Sequence, residues 1–221
     1  MEAHLETLKL SGVDYLLLTG EVEESNITED IRMQTQDRRQ PLLEIKREVA
    51  ACQKCPELAN SRTHTVFGSG NARAQLVFVG EAPGFEEDLQ GLPFVGPAGR
   101  LLTKMIEAIG FSRNDVFICN VLKCRPPGNR NPKPDEVVNC SPYLWQQIDL
   151  IQPKVLCALG NFAAQTLLKS TQSISKLRGM IHSVRNYQIV CTFHPSYLLR
   201  NPSDKYKAWE DLKRVKNLVA T

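Results

Sequence analysis

Four short, almost uninterrupted apolar runs constrain this chain more than any other feature: QLVFVG at 75–80, DVFICNVL at 115–122, KVLCALG at 154–160 and YQIVCTFH at 187–194. Strands that read apolar without alternation are buried on both faces, as in a mostly parallel sheet covered by helices. Helical patterns fill the gaps at 97–109, 135–148, 161–169 and 204–219, the first opened by Pro97 and stopped by Gly110. The expected fold class is α/β, a three-layer α/β/α arrangement with a central, mostly parallel four-stranded sheet. A length of 221 residues supports one such core and is short for two.

In folds of this kind ligands bind beyond the carboxyl ends of the strands, and the chemically unusual residues lie there. The first run leads into Glu81-Ala82-Pro83-Gly84, the second holds Asn120 and leads to Lys123-Cys124-Arg125, and the last leads into Phe193-His194-Pro195-Ser196. Three strand ends are thereby expected to converge on one cleft.

Charge divides the chain. Residues 1–40 carry four basic and nine acidic side chains, which leaves 23 basic against 15 acidic in 41–221. The first stretch is expected to be an acidic, flexible extension with a short helix at most, and 41–221 the folded domain, opened by a helix at Pro41. A basic body favours a polyanionic partner such as nucleic acid. No window approaches a membrane span, and the first residues lack the pattern of a secretory signal, so the expected compartment is the cytoplasm.

The seven cysteines sort by context. Cys119, Cys157 and Cys191 sit inside apolar runs and are expected in the core. Cys52 and Cys55, a C-x2-C knuckle, and Cys124 and Cys140 sit among polar residues, where four thiolates from three segments offer a metal or cluster site. Spacing does not decide between zinc and an iron–sulfur cluster.

Several long motifs occur in a recognisable order: Gly80-Glu81-Ala82-Pro83-Gly84 with Glu86-Glu87-Asp88, then Gly91-Leu92-Pro93-Phe94-Val95-Gly96-Pro97-Ala98-Gly99, Asn120-Val121-Leu122-Lys123-Cys124-Arg125-Pro126-Pro127, Asn131-Pro132-Lys133-Pro134-Asp135-Glu136, and His194-Pro195-Ser196-Tyr197-Leu198-Leu199-Arg200-Asn201-Pro202. With these the chain strongly resembles the family 4 uracil-DNA glycosylases, the iron–sulfur branch of the uracil-DNA glycosylase superfamily, over about residues 43–219. The resemblance implies a DNA repair enzyme of three-layer α/β/α fold that hydrolyses the N-glycosidic bond of uracil. It also implies a 4Fe-4S cluster held by Cys52, Cys55, Cys124 and Cys140.

Excision builds positive charge on the sugar and negative charge on uracil O2, so the enzyme must lodge a flipped base, stabilise that anion and place a water. By resemblance, His194 donates to O2 and Glu81 serves the water side. Ala82 stands where family 1 carries a water-activating aspartate, so leaving-group stabilisation is expected to carry much of the rate. Asn120 would accept from uracil N3–H and donate to O4, a pattern that cytosine reverses. Phe94 would stack on the base, with Gly80, Ala82 and Gly84 closing around it. Thymine exclusion is left open among Gly84, Glu86 and Glu87.

Arg125, Arg130, Ser196, Tyr197 and Arg200 are expected to contact the DNA backbone, and Leu198 and Leu199 to wedge into the base stack. The stretch 176–181 reads as the loop before the last strand, and it carries no basic insertion of the kind found in a branch that bonds covalently to DNA. The expected partner is uracil-containing DNA and the expected state a monomer, with no membrane. The rival on the same fold is a catalytically inactive DNA-binding or replication accessory protein. A zinc deaminase would require H-x-E beside the metal knuckle, paired with P-C-x-x-C, and a dinucleotide oxidoreductase G-x-G-x-x-G after the first run; neither arrangement is present.

Overall fold

The computed structural model describes residues 38–220. The expected acidic extension lies, through residue 37, outside them. Helix α1, Arg39–Ala51, starts two residues before Pro41 and turns Leu42, Ile45 and Val49 inward. Helix α2, Pro56–Ser61, follows the C-x2-C turn.

Beyond them run β1 (Ser69–Gly70), β2 (Leu76–Gly80), α3 (Phe85–Gln90), α4 (Pro97–Ala108), β3 (Phe117–Asn120) and α5 (Pro134–Ile151). The chain continues through β4 (Val155–Leu159), α6 (Asn161–Leu168), α7 (Ile174–Leu177), β5 (Ile181–Val184), β6 (Tyr187–Thr192), α8 (Pro195–Arg200) and α9 (Lys205–Ala220).

The sheet has six strands in the order β1-β3-β2-β4-β6-β5, where four were expected. The four apolar runs form its parallel centre, β3-β2-β4-β6. The two additional strands are antiparallel edges. Ser69 of β1 pairs with Ile118, and β5 returns on β6 with Val184 opposite Tyr187. Ile181 therefore opens a strand, and Ile174–Leu177 is a turn of helix, where the sequence suggested a loop throughout 176–181.

Alternate side chains of the central strands feed two cores. Val77 and Val79 pack with α1, α5 and α6, while Leu76 and Phe78 pack with α4 and α9. This is the three-layer arrangement, and Cys119, Cys157 and Cys191 are buried within it. The order reverses at β2, since the chain passes first to β3 on one side and then to β4 on the other. Gly80 lies opposite Asn120 at the ends of β2 and β3. The site should lie at that switch point.

Candidate active site

A cleft of about 480 Å³ opens there, lined from the ends of all four central strands. Glu81, Ala82 and Gly84 come from the loop after β2, Asn120 from the end of β3, and His194 from the end of β6, with Phe94 from the loop before α4. Ser196, Tyr197 and Arg200 of α8 and Arg130 complete the expected residues on its wall. Gly80 stands behind them. A Cβ at that position would collide with Asn120 Oδ1 and the Phe94 ring, so a side chain here would displace both.

Asn120 is 1% exposed. Its side-chain Oδ1 is buried without a hydrogen-bond partner among the described residues. An orphaned buried acceptor is costly, and one on the wall of a cleft marks where a ligand donor belongs.

His194 caps α8. Its Nδ1 accepts from the backbone N–H of Ser196 at 3.2 Å and lies 2.7 Å from Ser196 Oγ. A backbone N–H can only donate, so the ring proton sits on Nε2. Burial in dense surroundings, with Arg200 adding to the effect, pushes the imidazole down to about 4, so the ring is neutral at physiological pH. Glu81 behaves in the opposite sense, its carboxyl being pushed up to about 7 by desolvation.

Phe94 has a backbone φ of 53°, unusual for a residue with a side chain. Two clamps hold it there. Arg113 donates to the carbonyls of Pro93 at 2.8 Å and Phe94 at 3.2 Å. Glu87 accepts from the N–H groups of Val95 and Gly96 through Oε1, and from Gly84 through Oε2, so one carboxylate ties the two loops of the site together. Glu86 is exposed and away from the cleft.

The remaining expected residues divide. Leu198 is 1% exposed and packs in the core, so it cannot act as a wedge; its neighbour Leu199 is 43% exposed. Arg130 reaches the cleft but is held by Glu57 and by buried Glu136, at 3.0 Å and 2.6 Å. Arg125 lies outside the lining, its guanidinium over the Phe85 ring and its Nε donating to Asn129. Gly160 and Asn161, after β4, line the cleft although the sequence reading assigned them nothing. The strand-end rule could have found them.

Cys52, Cys55, Cys124 and Cys140 surround one small cavity. N–H groups point at three of the sulfurs: Arg62 donates to Cys124, the backbone of Lys123 to Cys140, and Asn139 to Cys55. Burial pushes the thiols of Cys55 and Cys124 up and that of Cys140 to about 11. Among the described residues no group of three or more His, Cys, Asp or Glu side chains is gathered in a form that could hold a single metal ion. Four soft donors around one cavity, three of them receiving N–H groups, nevertheless have the chemistry of a thiolate ligand set.

A polar cleft at the switch point of a doubly wound sheet is the arrangement of an α/β enzyme. Residues 67–213 match the Uracil DNA glycosylase superfamily. The chain is 43% identical over 183 residues to a type-4 uracil-DNA glycosylase of Archaeoglobus fulgidus, covering 79% of this chain and 92% of that protein. It is 46% identical over 186 residues to one from Thermotoga maritima, covering 82% and 96%. A DNA polymerase of Bacillus phage SP01 is 29% identical over 153 residues, covering 69% of this chain but 16% of the polymerase. The chain belongs to the uracil DNA glycosylase superfamily and, within it, to the type-4 family. No helix among the described residues is long and apolar enough to cross a membrane.

Proposed function

We propose that this protein is a monofunctional uracil-DNA glycosylase, acting as a monomer, that uses water to cleave the bond between uracil and deoxyribose and leaves an abasic site. The observation that carries the reading is the orphaned Oδ1 of Asn120, buried on the cleft wall beside Phe94 and His194. That oxygen matches uracil N3–H, and the amide nitrogen beside it matches O4. Cytosine offers an acceptor at N3 and donors at position 4, so it leaves both partners mismatched.

The family relationship and the geometry support the same division of labour. His194, with Nδ1 filled by Ser196, keeps Nε2–H to donate as negative charge gathers on O2. A neutral donor suffices, because the bond strengthens as the leaving group becomes anionic. Phe94 supplies a ring against the flipped base. Once ionised, Glu81 orients water and offsets positive charge on the sugar. Ala82 adds no carboxylate, so departure of the base carries more of the acceleration than activation of the nucleophile.

Arg200, Ser196 and Tyr197 meet the DNA backbone at the cleft, and Leu199 is the residue of its pair available to enter the base stack. Arg130, already paired with two carboxylates, serves chiefly to fix the loop before α5. Gly84 remains beside the base to limit space at C5, since Glu87 is committed to three backbone groups and Glu86 is outside the cleft.

Cys52, Cys55, Cys124 and Cys140 would hold a 4Fe-4S cluster. When bound, the cluster supplies a crosslink among the turn after α1, the loop after β3 and the start of α5. Release of free uracil from a uracil-containing oligonucleotide by the purified protein tests the function directly.

A further inference from the structure

Lys123 is 1% exposed, and among the described residues no carboxylate meets its amine. Its Nζ instead donates to two neutral oxygens, the main-chain carbonyl of Asn120 at 2.8 Å and Oε1 of Gln147 at 2.6 Å. Gln147, itself fully buried on α5, passes the connection on, with Nε2 donating to the carbonyl of Phe67 at 2.9 Å. Burying a lysine amine, charged or neutral, is an expensive way to stabilise a fold, and apolar side chains would fill the same space at less cost.

The effect of this chain of bonds falls on one peptide group. The carbonyl of Asn120 is held by Lys123 Nζ, and the N–H of Val121, at the other end of the same peptide, donates to the carbonyl of Gly80 at 3.0 Å. A peptide group is planar, so anchoring both ends fixes the backbone torsion that leaves Asn120. That torsion, with the strand before it, sets the direction of the Asn120 side chain. The same lysine is tied at its main chain, where its carbonyl accepts from Val66 at 2.7 Å and its N–H donates to Cys140 Sγ at 3.3 Å.

We propose that Lys123 and Gln147 are positioning residues for base recognition: they lock the peptide that leaves Asn120 and so aim its amide at the edge of the flipped base. The inference rests on the reading of Asn120 given above. Lys123 touches neither base nor sugar in this account and acts only through its neighbour. Its main-chain bond to Cys140 also makes the thiolate site the far support of the same peptide segment.

A double-mutant cycle separates this role from simple support of the fold. The readout is the binding preference for an oligonucleotide carrying 2′-fluoro-2′-deoxyuridine, which resists cleavage, over one carrying cytosine at that place. Iron content and melting temperature are measured on each preparation. Lys123→Met keeps the unbranched stem and removes the donor. It is expected to lower the preference roughly ten- to a hundredfold, as loss of an orienting partner does, and to cause no further loss in an Asn120→Ala background. Gln147→Met is expected to act in the same direction, and it carries the test if Lys123→Met does not yield folded protein.

An unchanged preference in either single variant, or equal fold-losses in both backgrounds, overturns the inference while leaving the Asn120 reading intact. A wild-type preference in Asn120→Ala alone overturns both.

Discussion

The ring centroids of Phe94 and His194 lie 5.6 Å apart, with the ring planes inclined by 35°. The two residues reach this position from opposite halves of the sheet, one on a loop clamped by Arg113 and Glu87 and the other at the start of α8. Asn120 completes the wall, and Gly80 is the residue against which Asn120 and Phe94 are packed. The site is therefore a set of side chains whose spacing is fixed by tight backbone contact rather than by their own flexibility.

Gly80→Ala tests that spacing. The added methyl would meet Asn120 Oδ1 and the Phe94 ring. We expect it to lower kcat/KM about a hundredfold, the scale of loss when reacting groups are misplaced. Crowding should cost stability about 1–3 kcal/mol. Steady-state kinetics and thermal melting check this together, and near-wild-type kinetics would show that the packing does not govern the chemistry.

The pH dependence follows from Glu81. Its carboxyl, raised by desolvation to about 7, is protonated in much of the free enzyme below that value. If the ionised form is needed, log kcat/KM rises with pH and levels off near 7, because this parameter reports the free enzyme. His194 contributes no break in this range, since it is neutral well above about 4. Glu81→Gln should flatten the profile as well as lower it.

Linkage gives the same carboxyl a signature in stability. Its folded pKa lies above the ordinary glutamate value of 4.5, so between 4.5 and about 7 the folded protein holds a proton that the unfolded chain has lost. The Glu81 contribution to stability therefore falls as pH rises through this window. Melting temperatures of wild type and Glu81→Gln should diverge on going from pH 5 to pH 8, with the variant gaining. A constant difference would place the titration elsewhere.

Base selection gives a third test. Asn120→Asp replaces the amide nitrogen, a donor, with an acceptor facing uracil O4. Excision of uracil should fall and discrimination against cytosine should narrow. Wild-type discrimination, measured on paired substrates, would remove Asn120 from base reading.

The thiolate site predicts a linked loss. Cys124→Ala leaves Arg62 without its sulfur acceptor and opens one side of the ligand cavity. Bound iron and soluble yield should fall together, because binding and folding of such a site are coupled. Iron determination beside a melting curve checks it, and full iron in a normally folded variant would exclude Cys124 as a ligand.

The four central strands were legible because each is buried on both faces and therefore reads apolar throughout. The edge strands were not. Ser69–Gly70 is too short to show a period, and Ile181–Val184 alternates between exposed and half-buried positions. Its hairpin turns through Arg185, which adopts a φ of 53° without the glycine that would have announced it. Residues at the strand ends reached the cleft as the pattern suggested, since a parallel sheet gathers those ends whatever its side chains.

What depended on contact between distant segments could not be read. Arg130 meets Glu57 across 73 positions of sequence, a pairing that ties it into the fold. Leu198 and Leu199 are neighbours in sequence, but successive residues of α8 point in different directions, one into the core and one outward. Glu87 lay in a recognised motif, yet its three backbone partners show themselves only when the two loops are brought together.

The most direct test of the central claim is base release from oligonucleotides containing one uracil, single-stranded and paired with guanine or adenine, for wild type and His194→Ala. The account predicts free uracil and an alkali-labile strand from the wild type. The variant should bind the same DNA but excise roughly a hundred- to a thousandfold more slowly, the loss typical of removing a donor to a developing anion. Wild-type protein that binds this DNA and releases no uracil, or a variant that releases it at the wild-type rate, would contradict the account.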